Sequence, residues 1–97
     1  MIKEVSARTA REALLSKGFT ASVKGNRDHE MYFFELDGKK TSVFFKISFG
    51  ASHVRRDEIR NSARAQHLRG DDFYSILCCD HSAATTRTVI EAMLAAR

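Results

Sequence analysis

Residues 29–49 read HEMYFFELDGKKTSVFFKISF. Two runs rich in aromatic and β-branched residues flank Asp37-Gly38, the strongest short hairpin signal a sequence offers, because both turn positions accept positive φ. The first run, His29 to Leu36, is strand-like in composition and too short for a helix. The second, Lys40 to Phe49, alternates. Thr41, Val43, Phe45, Ile47 and Phe49 fall on one face; Lys40, Ser42, Phe44, Lys46 and Ser48 fall on the other. That pattern predicts an antiparallel pair with one buried face and one cationic face. Tyr32, Phe34 and Leu36 are expected to face the core. His29, Met31 and Phe33 then share the open face with Phe44 and Lys46.

Working outward, Phe19 to Lys24 alternates weakly and makes a third strand, joined to His29 by the turn cluster Gly25-Asn26-Arg27-Asp28. Before it, Ala7 to Lys17 reads as a helix. Ala7, Ala10 and Leu14, with Ala13 beside them, form its apolar stripe. Ser6 is its N-cap, Arg8 and Glu12 are i, i+4 neighbours, and Gly18 supplies a left-handed C-terminal residue.

After the sheet, Gly50 breaks the strand and Arg56 to His67 reads as a basic helix with Ile59, Ala63 and Gln66 inward. Gly70 is expected to stop it. Asp71 and Asp72 then cap a short helix running to Cys79 with Phe73, Ile76 and Leu77 inward, although a fourth strand over 73–79 is the alternative. Ser82 caps a last helix, Ala83 to Ala96, with Val89, Met93 and Ala96 on one face and Ile90 and Leu94 beside them. The result is an α+β fold. It is a single domain over 1–97, with an αβββα core at 6–68, a three-stranded antiparallel sheet, and a helical extension at 71–97.

Composition bounds the rest. The chain has 97 residues, 43% of them hydrophobic, enough for one small core. Charged residues make up 29%, yet the net charge is only +4, which excludes compositional disorder. No apolar run reaches membrane-spanning length, and nothing at the start resembles a signal peptide. The two cysteines, Cys78 and Cys79, are adjacent, a poor geometry for a disulfide, so a cytoplasmic location is expected. Cys78-Cys79-Asp80-His81 has no second ligand pair, so neither a metal nor another cofactor is expected. There is no Walker loop, no GxSxG and no GxGxxG.

The charge is unevenly placed. Residues 38–70 hold eight Lys/Arg against Asp57 and Glu58, a net of +6, whereas residues 71–97 sum to −2. Arg56, Arg60 and Arg64 lie at i, i+4, i+8 and form one ridge with Arg55 beside it. Such a ridge suits a phosphate backbone; a solvated face with local ion pairs is the plain alternative. Phe33, Phe44 and Met31 on the open face can stack on bases, but such a patch more often meets protein, and protein contact is the expectation.

Four pieces carry a resemblance over residues 6–66. They are Leu14-Leu15-Ser16-Lys17-Gly18-Phe19, Lys24-Gly25-Asn26-Arg27-Asp28-His29, Asp37-Gly38-Lys39-Lys40-Thr41, and Lys46-Ile47-Ser48-Phe49-Gly50 before a basic helix. The order resembles a double-stranded-RNA-binding fold and, more narrowly, the HicA-like toxins of toxin–antitoxin systems. That resemblance implies an endoribonuclease whose catalytic histidine opens the second strand, at His29, with RNA as substrate and an antitoxin covering the His29 face. Lys24, Arg27, Lys39 and Lys46 would be the cations near His29, and Arg55, Arg56, Arg60 and Arg64 the wider RNA-binding set. The chain departs from the family in a longer spacing from Gly25 to His29 and in its added C-terminal part. The alternative is a non-enzymatic nucleic-acid- or protein-binding module on the same fold.

Overall fold

The computed structural model describes residues 2–22, 29–48, 50–78 and 81–96. Their order is β1 (Val5–Ser6), α1 (Ala7–Ser16), β2 (Phe19–Ala21), β3 (His29–Leu36), β4 (Lys39–Ser48), β5 (His53–Val54), α2 (Arg56–Ala65), α3 (Gly70–Leu77) and α4 (Ala83–Ala95). The fold is α+β, and the three-stranded antiparallel sheet runs β2-β3-β4.

The hairpin forms at Asp37-Gly38. Both residues take positive φ, 52° and 81°, and Leu36 pairs with Lys39. The register slips between Phe33 and Glu35, since Phe33 pairs with Phe44 but Glu35 pairs with Lys40. Thr41 manages this irregularity with its side chain. Its hydroxyl donates to the Phe34 carbonyl at 2.8 Å and accepts from the Val43 amide at 3.2 Å. Val43, Phe45 and Ile47 are buried as the alternation requires, with Tyr32 and Phe34 beside them. Phe49 and the turn at 25–28 lie outside the described residues.

Helix α1 starts where Ser6 Oγ accepts from the Thr9 amide at 3.1 Å. It buries Ala7, Ala10, Ala13 and Leu14. Gly18 follows with φ 100°, and a Cβ there would lie 3.1 Å from the Phe34 ring, so glycine serves both the turn and the packing. One core cluster joins the inward residues of β3 and β4 to Leu14 of α1, Ile59 and Ala63 of α2, Phe73, Ile76 and Leu77 of α3, and Ile90 and Met93 of α4. Phe45 meets Phe73 edge-on at 5.2 Å, and Phe19 meets Phe34 at 5.3 Å. The helices therefore cover one face of the sheet. Met31, Phe33 and Phe44 point from the other face and take no part in this core.

Three sequence expectations need correction, one pairing is new, and one alternative falls away. A two-stranded pair, β1 with β5, was not expected; it matches Val5 with Val54 and buries both. Gly70 does not stop α2. That helix ends at Gln66, and His67 takes the left-handed conformation at φ 61°. The His67 amide donates to the Arg64 carbonyl and the Leu68 amide to that of Ala63, a Schellman pattern that turns Leu68 into the core. Gly70 instead opens α3, whose N-cap is Arg69; Asp71 and Asp72 lie within its first turn. Residues 73–77 are helical, which removes the fourth-strand alternative. In α4, capped by Ser82 as expected, the buried stripe is Thr86, Ile90 and Met93. Val89 and Leu94 only flank it, and Ala96 is exposed.

Candidate functional site

His29 begins β3 on the face opposite the helices. It pairs with Ser48, and the next pair on that face is Met31 with Lys46. The residue is half-buried. Its Nδ1 is buried and meets no hydrogen-bond partner among the described residues. Beyond Met31 the face continues as an aromatic pair, Phe33 and Phe44, with ring centroids 5.7 Å apart. Lys40 Nζ lies 5.2 Å from the Phe33 centroid, a cation–π distance. Lys46 is exposed. Glu35 adds a negative charge near the hairpin end of this region and accepts from the Thr20 hydroxyl at 2.9 Å.

The expected cations divide into four groups. Lys46 shares the face with His29. Lys39 does not lie near it: it pairs with Leu36 at the hairpin end, seven residues along β3 from His29, roughly 23 Å away at the rise of a strand. Lys24 and Arg27 lie outside the described residues. Arg55, Arg56, Arg60 and Arg64 are all exposed, and none makes a side-chain ion pair with another described residue. The Arg56–Arg60–Arg64 ridge spans two helical turns, about 12 Å.

Arg55 links ridge and sheet. It lines a shallow depression of about 670 Å³ that includes Ser48, the partner of His29, together with Ser52 and His53. It also lines a second depression, about 660 Å³, shared with Lys3, Arg56 and Arg60. Glu4 and Asp57 border both, so the passage between sheet and ridge is not purely cationic. His53 has no local sequence signal that marks it as functional. Its Nδ1 lies 2.9 Å from Ser52 Oγ, but Glu4 stands 3.9 Å from its Nε2 and all three are exposed. That is no oriented nucleophile triad, whose members sit within hydrogen-bond reach.

Three further polar contacts tie elements together, two of them at the sheet and one between α1 and α3, and none has a local sequence signal. Arg11 of α1 donates twice to Glu30, at 2.8 and 2.9 Å, and the Tyr32 hydroxyl donates to Glu30 at 2.5 Å. The Arg11 hydrogen bonds hold Glu30 below the usual carboxylate range despite its partial burial. Burial, then the bond to Glu30, pushes the Tyr32 hydroxyl up to about 12. Lys17, buried at the end of α1, donates to the Ile76 carbonyl at the end of α3, where a helix dipole favours a cation. Gln66 donates to the Phe44 carbonyl and accepts from the Phe44 amide, both at 2.7 Å. Only contacts between residues distant in sequence reveal these pairs; no local pattern announces them.

Cys78 is half-buried and free, and His81 meets Asp72 at 3.2 Å. Cys79 and Asp80 lie outside the described residues. Among the described residues no three His, Cys, Asp or Glu side chains converge as metal ligands. No described helix is long and apolar enough to cross a membrane. Compared with known proteins, the chain matches no family model, no curated protein and no solved structure.

Proposed function

We propose that the chain is a cytoplasmic, HicA-like RNA-binding protein, a metal-independent endoribonuclease that uses His29 as general acid–base and is held in check by an antitoxin. The observation that carries this reading is the position of His29 on the helix-free face of the sheet, two residues from the Met31–Lys46 pair. The αβββα order of residues 6–68 supports it, as do the unpaired arginines of α2.

The chemistry follows from what an imidazole can do. RNA carries its own nucleophile, the 2′-hydroxyl. An imidazole in hydrogen-bond reach takes that proton and returns one to the leaving 5′-oxygen. The ammonium of Lys46 stabilises negative charge developing on the phosphate oxygens. Phosphates further along the chain reach Arg55 and the α2 ridge.

One observation favours the second reading, a binding module without catalysis. The His29 Nδ1 is buried and meets no partner among the described residues that would fix the ring from that side. Induced expression separates the two. Wild-type protein should arrest growth, and His29→Ala, expressed to the same level, should not. Equal arrest by both proteins rejects His29 as the catalytic group.

A further inference from the structure

Deepening the RNA reading, on which this inference rests, we infer that the open sheet face binds single-stranded RNA, with unpaired bases stacked on Phe33 and Phe44 and adjoining phosphates held by Lys40 and Lys46.

Three features of the face point to this occupant. First, Phe33 and Phe44 lie side by side at 5.7 Å, outside the core. A ring on a sheet's solvent face stabilises the structure less than one in the core, but it offers a flat π surface to a base. Second, cations alternate with the rings. Lys40 sits over Phe33, and Lys46 follows Phe44 by two residues on the same face. Lysine is depleted from the centres of protein–protein interfaces, whereas a single strand needs this alternation of ring and cation. Third, Met31, Phe33 and Phe44 are each half-buried, so part of each side chain stays open to a base, while the exposed large apolar side chain among the described residues, Leu15, lies on α1.

The order along β3 gives the platform a purpose. Phe33 lies four residues from His29, about 13 Å at strand rise. A strand anchored by its bases on the rings runs past Lys46 toward the imidazole. A duplex keeps its bases stacked inside and cannot use the rings. The face therefore selects unpaired RNA.

The test uses full-length His29→Ala protein, so that binding is read without cleavage. The probes are a fluorescent ten-nucleotide oligouridine and a blunt RNA duplex of equal charge. Phe33→Leu and Phe44→Leu keep apolar volume and remove the π face. Each should weaken oligouridine binding by about five- to a hundred-fold, the range for one lost base–aromatic stack, and leave duplex binding unchanged. A circular dichroism melt confirms folding of each variant. Should a leucine variant unfold, Phe33→Met and Phe44→Met serve instead, with the same selective loss expected for oligouridine.

Unchanged oligouridine affinity in folded variants, with Arg56, Arg60 and Arg64 still required, overturns the platform and leaves the RNA reading standing. Tighter binding of the duplex than of the single strand also overturns it. Failure to bind either RNA removes both readings together and leaves the face to a protein partner.

Discussion

At Phe44 the backbone of β4 turns its N–H and C=O away from β3, and the Gln66 amide meets both at 2.7 Å. The side chain replaces a neighbouring strand and closes that part of the sheet's edge. Gln66→Leu keeps the volume but leaves both backbone groups unpaired, so the unfolding free energy should fall by about 1–3 kcal/mol. A urea titration with a wild-type midpoint would speak against this role. The Arg11–Glu30–Tyr32 group gives a pH dependence of known sign. Glu30 has a lowered folded pKa, so its contribution is present above the ordinary carboxylate value and is lost as pH falls through the folded one. Tyr32 is raised from 10.0 to about 12, so its contribution is present below about 10 and lost as pH rises toward about 12. Melting curves across pH should show both limbs in the wild type. Glu30→Gln should lack the acid component, and Tyr32→Phe the alkaline one. Neither residue pair was legible in the sequence: Arg11 and Glu30 are 19 positions apart, and Gln66 read as part of an apolar stripe.

Elements followed local chemistry closely where that chemistry was strong. The Asp37-Gly38 turn takes two positive φ values, and the alternation in β4 places Val43, Phe45 and Ile47 inside. Ser6 and Ser82 both cap helices through their hydroxyls. Local signals failed where a weaker residue did the work. His67, not Gly70, ends α2, because the Schellman bonds and the burial of Leu68 outweigh the left-handed strain. That strain is about 1–2 kcal/mol for a side-chain-bearing residue. Glycine returns about half of it as chain entropy. His67→Gly should therefore stabilise the protein by about 0.5–1 kcal/mol, read as a higher urea midpoint at unchanged slope; a lower midpoint would show that the imidazole contributes to the fold. The β1–β5 pair was illegible because each strand has two residues and their pairing spans the αβββ unit. The inward face of α4 is not legible from apolar spacing because a buried threonine, Thr86, belongs to it with Ile90 and Met93.

Across the whole molecule, the sheet separates a packed helical side from an open face, and Arg55 stands between Ser48, the partner of His29, and the cations of α2, with Glu4, Asp57 and Glu58 in the same passage. The sequence revealed the charge asymmetry and the two faces. The Asp37-Gly38 turn also puts Lys39 and His29 at opposite ends of the hairpin, and only the family resemblance grouped them as neighbours. If the ridge holds phosphates, replacing Arg56, Arg60 and Arg64 with Gln should lower the slope of log affinity against log salt by about two to three. An unchanged slope would make the ridge a solvated face.

The most direct measurement of the central proposal is cleavage of an end-labelled RNA by purified protein in EDTA, with wild type and folded His29→Ala side by side. Loss of one general acid–base group lowers a rate by about 10²- to 10⁴-fold. Wild type is expected to cut and leave 2′,3′-cyclic phosphate ends, while His29→Ala binds the RNA within a few-fold of wild type and cuts at least about a hundred-fold more slowly. Undiminished cutting by His29→Ala, or a wild-type protein that binds RNA and never cuts it, would contradict the proposal.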